Sequence, residues 1–452
     1  NVSKKSIKKR KSSRLFGIIY MLVKSILNKT KRSFHMNYST TDTYQIKRKI
    51  LNFTGKLTKK TGQVTRKFTS DMVYGIIKSK NILLSKISDA LKESTKKKNT
   101  IERLSINLEK DLDPSIDREY CKLVNEAIGE NPVIMVDDSD VIKPHGYKFE
   151  CLDKVRDGSS KEKKIEKGYM VTEMVALTKE KKNPLSLFSH IHSSKEKDYK
   201  SANAITFEGL DKVIESIKGK GTFIFDRGYD MNDMFNYMHE KNQDYVIRLT
   251  EKRKLFHKGK WFKSTVLRDS RKGKIKTNCY FDKEIRDCYI SHLNVKITAS
   301  KRNISLILVY GLSDTPMMLA TNKVIRGKDD AIRILRLYMS RWRVEEYFRF
   351  KKTQYNFEDF RVRSLKSINN LNKMLTYAIG FIGLMQEMHK RNKLANKMIK
   401  NARGLRTDIL FYYYQMSEGI KNTLDYARTG IREWQKIERR PRFQQLMLVP
   451  IT

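Results

Sequence analysis

The chain has 452 residues, of which 39% are hydrophobic, and this length and composition suit roughly two to four domains with packed cores. A wholly disordered protein is therefore excluded. Lysine and arginine number 94 against 50 acidic residues, which gives a formal net charge of +44. Lysine-rich codon usage would be an alternative cause, but it would enrich glutamate as well. We therefore expect a polyanionic partner, with nucleic acid as the leading candidate.

Cysteine usage and apolar segments bear on where the protein works. The four cysteines lie far apart and form no C-x-x-C pair, so neither a zinc ribbon nor a disulfide framework is indicated, and reduced thiols in the cytoplasm are expected. The apolar stretch at 15–23 ends at Lys24 and is too short to span a bilayer, so we expect a packed helix and no membrane partner. The chain begins at Asn1 rather than at a methionine, which leaves open whether residues precede it.

The first 130 residues divide into a basic arm and a helical region. Residues 1–50 are strongly basic and poorly patterned, as in an arm that contacts a nucleic-acid backbone or in a flexible tail. Between 51 and 130, apolar residues recur at helical spacing, with Leu84, Ile87 and Leu91 as one example. We predict a helical DNA-binding domain at 51–130. The pattern fits a helix-turn-helix and fits a plain helical bundle equally well.

Compact apolar runs bounded by polar residues, glycine or proline follow from residue 131. Such runs indicate β-strands, and helical patterns at 203–218 and 231–241 separate the later ones. Three consecutive strands, followed by helix, strand, helix and strand, predict an α/β fold with a mixed sheet covered by helices. We assign 131–250 as the first part of this core. The predicted strands lie at 131–140, 169–178, 184–192, 221–226 and 244–250.

The pattern changes again after residue 250. Four further strands at 275–283, 288–300, 304–312 and 316–322 have no helix between them, so 251–325 is predicted to be a β-rich insertion. Trp261 in this insertion is expected to pack within it, with stacking on a base as the alternative. We predict a single helix over 328–354, which resumes the core at 326–390, and a helical C-terminal region at 391–452.

Two aspartates follow predicted strands directly. Asp137 comes after Val133–Val136, and Asp226 ends "GTFIFD". A carboxylate at the end of a buried strand projects from a rigid sheet toward its rim, where open α/β sheets place their sites. Either aspartate alone could equally be a turn residue or a helix N-cap. Two of them together justify a search for a third acid.

The predicted helix at 328–354 supplies that acid. At about 100° per residue, Tyr338, Arg341, Glu345 and Lys352 share one narrow face, whereas Glu346 lies about a quarter-turn away and is expected to form a salt bridge. The plain alternative is a solvated face of ion pairs with the aromatic residues packing elsewhere.

Three carboxylates without histidine or cysteine suit Mg²⁺ or Mn²⁺. We expect two such ions per active site, where they would activate a water or a 3′-hydroxyl and stabilise the leaving oxygen of a phosphodiester. The cations one turn either side of Glu345 would then bind the flanking phosphates, and Tyr338 would add a hydrogen bond or stack on a base.

The spacing of these residues resembles a known family. Tyr338, Arg341, Glu345 and Lys352 match the Y-R-E-K signature of DDE transposases from bacterial insertion sequences, a cut-and-paste group with a ribonuclease H-like core. "FDRGYD" at 225–230 resembles the second-aspartate motif of that family and "VDDSD" at 136–140 the first. The x-Ser pattern selects Asp137, while we expect Asp138 on the opposite face of the strand and Asp140 in the following turn.

The resemblance implies both site and function. Asp137, Asp226 and Glu345 would be the metal-binding catalytic triad, and Tyr338, Arg341 and Lys352 would bind DNA. The implied activity is metal-dependent cleavage at the terminal inverted repeats of a transposon and strand transfer into target DNA, by a homodimer in the bacterial cytoplasm at the nucleoid. The alternatives are a catalytically decayed or recruited DNA-binding protein of the same ancestry, and a related nuclease without strand transfer.

Overall fold

The structure is a computed structural model that describes residues 40–438, except 159, 161, 163, 181, 218, 283, 300, 389–391 and 403–412. The predicted apolar helix at 15–23 and most of the basic arm lie outside these residues. No helix within the described ranges is long and apolar enough to cross a membrane.

Between residue 40 and the sheet the structure has five helices. In the first of them, Ile46, Ile50, Phe53 and Leu57 recur at helical spacing and are buried, so this face holds the helix against its neighbours. The helical pattern predicted at 51–130 is confirmed. The helices begin earlier than predicted, because residues 40–50, assigned to the basic arm, form the first turns of a packed helix. A role of this region in DNA binding stays a prediction. The helices are α1 (Thr40–Leu57), α2 (Gln63–Ser79), α3 (Leu84–Leu91), α4 (Lys97–Leu108) and α5 (Ser115–Ile128).

The strands and helices of the core follow one another along the chain as predicted, except for one short strand, Asp153–Arg156, that was not predicted. Strand β1 pairs antiparallel with β3, and β3 pairs antiparallel with β4. On its other side β1 pairs parallel with β5, and β5 pairs parallel with β6. A helix connects β5 to β6, as parallel neighbours require. This is a ribonuclease H-like arrangement, and the predicted α/β class is confirmed. The elements are β1 (Val133–Ile142), β2 (Asp153–Arg156), β3 (Ile165–Leu177), β4 (Pro184–His192), α6 (Ala202–Ser216), β5 (Thr222–Phe225), α7 (Asn232–Glu240) and β6 (Asp244–Arg248).

The β-rich insertion extends the same sheet. Its last strand pairs antiparallel with β6, so the strands form one 12-stranded sheet. The four strands predicted between 275 and 322 are present, while two short strands and a short helix before them were not predicted. The elements are β7 (Lys254–His257), β8 (Lys260–Lys263), α8 (Ser264–Asp269), β9 (Ile275–Phe281), β10 (Glu284–Ile297), β11 (Asn303–Tyr310) and β12 (Met317–Thr321).

The prediction of a single helix over 328–354 is wrong. The structure has two helices, α9 (Lys328–Met339) and α10 (Trp342–Tyr355), separated at Ser340 and Arg341. The backbone N–H of Arg341 donates to the carbonyl of Tyr338, and that of Arg343 donates to Ser340, so the chain tightens to three-residue spacing. The Ser340 hydroxyl also donates to the carbonyl of Leu337 at 2.6 Å, a contact that bends helices.

The remaining helices join the C-terminal region to the N-terminal helices. Arg432 donates to the buried Asp71 of α2, and Lys80 pairs with Glu418. The predicted helical character is confirmed where the region is described, whereas the domain boundaries stay predictions. The helices are α11 (Leu365–Glu387), α12 (Lys393–Lys400), α13 (Tyr413–Asp425) and α14 (Ile431–Glu438).

Candidate active site

Asp137 and Asp226 lie next to each other on two central strands of the core sheet, where the parallel pairing of these strands ends. The parallel pairing of β1 with β5 ends at Val136 and Phe225, and the two aspartates are the residues that follow. Asp137 is not at the end of its strand, as the sequence suggested, because β1 continues to Ile142 in antiparallel pairing with β3. The neighbouring position of the two acids does not depend on this, because it is fixed by the parallel register.

Helix α9 contributes Tyr338. Its hydroxyl donates to Oδ1 of Asp226 at 3.3 Å, and the side chain is 4% exposed. Burial and the nearby charge of Asp226 raise the pKa of Tyr338, so the phenol stays protonated and remains a donor. The hydroxyl therefore orients the carboxylate of Asp226.

Arg341 lies between the other two predicted acids. Its Nη1 is 3.3 Å from Oδ2 of Asp137, and its Nη2 is 2.5 Å from Oε1 of Glu345. The side chain of Glu345 is 50% exposed, so solvent and ligands reach it from the surface. The structure thus brings all three predicted acids and two of the predicted DNA-binding residues together, where the parallel pairing of β1 with β5 ends.

The electrostatics of the site favour an added cation. Burial raises the pKa of Asp137 to about 7, the Arg341 guanidinium opposes this shift, and the charges of Asp138, Asp226 and Glu345 add to it. One guanidinium is therefore insufficient for the negative charge collected here. A divalent cation would lower the energy of an ionised Asp137.

The donor chemistry fits Mg²⁺ or Mn²⁺, since every donor is a carboxylate oxygen. As the side chains stand, no three His, Cys, Asp or Glu residues in the described ranges are grouped closely enough to hold a metal ion. At the predicted site the guanidinium of Arg341 lies between Asp137 and Glu345.

Lys352 of α10 contacts β1 three residues beyond Asp137, at Asp140. Its Nζ is 3.2 Å from Oδ2 of Asp140 and 3.2 Å from Oε1 of Glu358. Asp140 is within β1 and not in a following turn, so that expectation is wrong. Tyr338, Arg341 and Lys352 therefore contact three different aspartates.

Comparison with known proteins places the chain in a family. The protein-family model described as "Transposase DDE domain" matches residues 130–379, which is more than half of the chain. The chain belongs to the DDE transposases. The protein is similar, at 11% identity and a TM-score of 0.43, to a solved structure of the piggyBac transposase synaptic complex with hairpin DNA, over 90% of this chain and 84% of that one. No curated protein matches the chain.

Two predictions about neighbouring acids of the transposase are confirmed. Asp138 points away from Asp137 and accepts hydrogen bonds from Thr172 Oγ1 at 2.6 Å and from Tyr229 at 2.9 Å. Glu346 forms an ion pair with Arg349 and takes no part in the site.

One buried ion pair next to the site was not predicted from the sequence. Glu173 of β3 and Lys351 of α10 form an ion pair at 2.8 Å with both side chains fully buried. Glu173 is the register partner of Asp137 across the antiparallel ladder. The signal in the sequence was a lone acid within the apolar run "YMVTEMVALT", because an acid in a buried strand requires a partner.

Proposed function

We propose that this transposase cleaves DNA at the ends of a bacterial insertion sequence and transfers them to target DNA, in the cut-and-paste manner of the Y-R-E-K group. The observation that carries the proposal is the meeting of Asp137, Asp226 and Glu345 where the parallel pairing of β1 with β5 ends, with Arg341 between two of them.

In this proposal the three acids hold divalent cations, Mg²⁺ or Mn²⁺ and two per site, which when bound activate a water or 3′-hydroxyl and stabilise the leaving oxygen. The chain's own groups prepare the site. Tyr338 orients the carboxylate of Asp226 through its hydroxyl. Arg341 neutralises Asp137 and Glu345 and offers further N–H donors to a phosphate. Lys352 binds the phosphate next along the strand edge.

A second DNA-contacting surface is proposed on the ribbon of β7 and β8. Trp261 is 48% exposed, and its ring packs on that of Phe256 with centroids 5.3 Å apart. The next cross-strand pair on the same face is Lys254 with Lys263; both are exposed, and neither has an ion-pair partner among the described residues. Exposed aromatic faces beside unpaired lysines suit a nucleic-acid backbone and its bases.

The partners proposed for the transposase follow from this chemistry. They are the terminal inverted repeats of the element and a target duplex, and the net charge of +44 favours association with both. Because two element ends have to be joined, we propose a homodimer in the DNA-bound complex. The proposed location is the bacterial cytoplasm, at the nucleoid.

The test uses a duplex that carries the inverted repeat bordering the gene, incubated with Mg²⁺ and either the wild type or Asp226→Ala. We expect the variant to lose strand cleavage by about 100-fold or more, with DNA affinity in a mobility-shift assay within about twofold. Asp233→Ala removes an exposed aspartate from α7 and serves as the matched control, with cleavage unchanged.

The outcomes separate the candidate functions. Binding without cleavage by the wild type would favour a decayed or recruited DNA-binding protein. Cleavage without joining to a supercoiled target plasmid would favour a nuclease. Equal cleavage by wild type and Asp226→Ala would remove Asp226 from the site.

Tyr338→Phe tests the orienting hydroxyl. Loss of a hydrogen bond to a charged group costs about 1.5–3 kcal/mol, so cleavage is expected to fall about 10- to 100-fold. The thermal midpoint is expected to fall only slightly, because the ring remains packed and a single hydrogen bond is lost. Tyr310→Phe in β11, whose hydroxyl donates to the carbonyl of Arg268, is the control and should leave the cleavage rate as it is.

A further inference from the structure

The ion pair of Glu173 and Lys351 has its polar contacts satisfied within the core. The ammonium of Lys351 donates to Glu173 Oε2 at 2.8 Å, to Asn372 Oδ1 at 2.9 Å and to Ser189 Oγ at 3.2 Å. Glu173 also accepts hydrogen bonds from the hydroxyls of Ser186 and Ser189. An ammonium has three donors, and each has an acceptor here. The network joins α10 to β3, β4 and α11.

The network lies next to the proposed catalytic groups. Glu173 and Asp137 are register partners, so their side chains leave the same face of the sheet. Lys351 follows Glu345 by six residues on α10, a distance of about 9 Å along the helix axis. The ion pair therefore connects the strand beside Asp137 with the helix that carries Glu345.

Stability alone does not account for a charged pair at this place. Helix α10 already buries Val344, Tyr347, Phe348 and Phe350, which hold it to the core by apolar contact. Replacing a buried ion pair by apolar side chains of similar volume is often neutral or stabilising, because two charges then avoid desolvation. Apolar contacts constrain the rotation and shift of a helix through shape alone, whereas hydrogen bonds add a directional constraint.

We propose that Glu173 and Lys351 are positioning residues of the active site, which set the rotation and axial position of α10 so that Arg341 and Glu345 face Asp137. The proposal rests on the proposed function of this site. It assigns the pair no contact with DNA, because both side chains are fully buried.

The test compares wild type with the double variant Glu173→Met/Lys351→Met, which removes both charges and keeps similar volume. We expect a thermal midpoint within about 2 °C of wild type. Strand-cleavage turnover should fall about 10- to 100-fold, with DNA affinity within about twofold, because misplacement by about 1 Å has effects of this size. A double variant with both the stability and the turnover of wild type would overturn the proposal.

A second readout does not need turnover. Mn²⁺ binding to the protein–DNA complex, followed by electron paramagnetic resonance, should require about fivefold more Mn²⁺ for half-saturation in the double variant. If the wild type binds Mn²⁺ and never cleaves, the proposed function fails while this inference is still tested. Unchanged Mn²⁺ affinity would overturn the inference even where the wild type cleaves.

Two single variants guard against a folding defect in the double variant. Ser189→Ala removes the hydroxyl that contacts both charges, and turnover is expected to fall about threefold or more at nearly unchanged stability. Phe350→Leu is the matched control, because Phe350 is buried on the same helix and packs on Tyr413 and Tyr414. It should lower stability and leave turnover per folded molecule unchanged. The opposite pattern in these two variants would contradict a positioning role.

Discussion

Asp137→Asn is expected to reduce strand cleavage about 1,000-fold or more and, at pH 8, to stabilise the metal-free transposase. The loss of cleavage follows because the amide cannot supply the anionic oxygen on which the proposed metal site depends. The gain in stability follows because a largely buried carboxylate, surrounded by three other acids, is replaced by a neutral group of the same shape.

The sign of the pH dependence follows from the pKa of Asp137. It rises from 3.8 to about 7 on folding, so between these values the folded protein binds more protons than the unfolded chain. The contribution of Asp137 to stability is therefore fully present below about pH 4 and is lost as the pH rises through 7. One pKa unit corresponds to about 1.4 kcal/mol. Allowing for partial exposure and the lost contact with Arg341, we expect Asp137→Asn to gain about 1–2 kcal/mol at pH 8.

Thermal unfolding in a chelator at pH 5 and pH 8 checks this expectation. The midpoint of Asp137→Asn should exceed that of wild type at pH 8, and the difference should be clearly smaller at pH 5, where only part of the contribution of Asp137 has been lost. Asp233→Asn removes an exposed charge and should show no such difference between the two pH values. A lower midpoint for Asp137→Asn at pH 8 would mean that the ion pair with Arg341 outweighs the burial of the charge.

The core strands were predictable because buried strands have short, nearly continuous apolar runs. The order of these runs predicted a mixed sheet, but not which strands pair. The parallel pairing of β1 with β5, which makes Asp137 and Asp226 neighbours, was found only in the structure. Strands β7 and β8 were missed, since "KLFHKGKWFK" places lysine at the start of β7 and at both ends of β8. A hairpin on the rim of a sheet needs few buried side chains and leaves a weak signal.

The shared helical face of Tyr338, Arg341, Glu345 and Lys352 assumed one regular helix. The break at Ser340 changes the rotation between α9 and α10, so the three polar side chains that accompany Glu345 contact three different aspartates. Helical spacing cannot show such a break, because it depends on a serine hydroxyl that bonds its own backbone.

The partner of Glu173 was beyond any local pattern, because Lys351 lies 178 residues away in the chain. A buried acid in the sequence indicates that it has a partner, but does not identify that partner. Which lysine supplies the charge depends on how α10 packs over β3, and this is a property of the assembled core and not of either segment.

Lys351→Met alone is expected to cause the largest loss of stability among these substitutions. Removing one member of a buried ion pair leaves the other charge without compensation, which costs about 3–5 kcal/mol. The hydroxyls of Ser186 and Ser189 still contact Glu173, but they are neutral donors and cannot balance its charge. Denaturant unfolding at pH 8 should therefore show a midpoint well below that of wild type.

The same variant should depend on pH in a way that apolar core substitutions do not. A buried carboxylate without a compensating charge becomes neutral when it binds a proton, and this is easier at low pH. The loss of stability in Lys351→Met should therefore be smaller at pH 5 than at pH 8. Phe350→Leu also loses buried contacts on α10, but its cost should be the same at both pH values. Adding Glu173→Met to Lys351→Met should recover most of the lost stability at pH 8. A loss that is independent of pH and is not recovered would mean that the methylenes of Lys351, and not its charge, hold α10 in place.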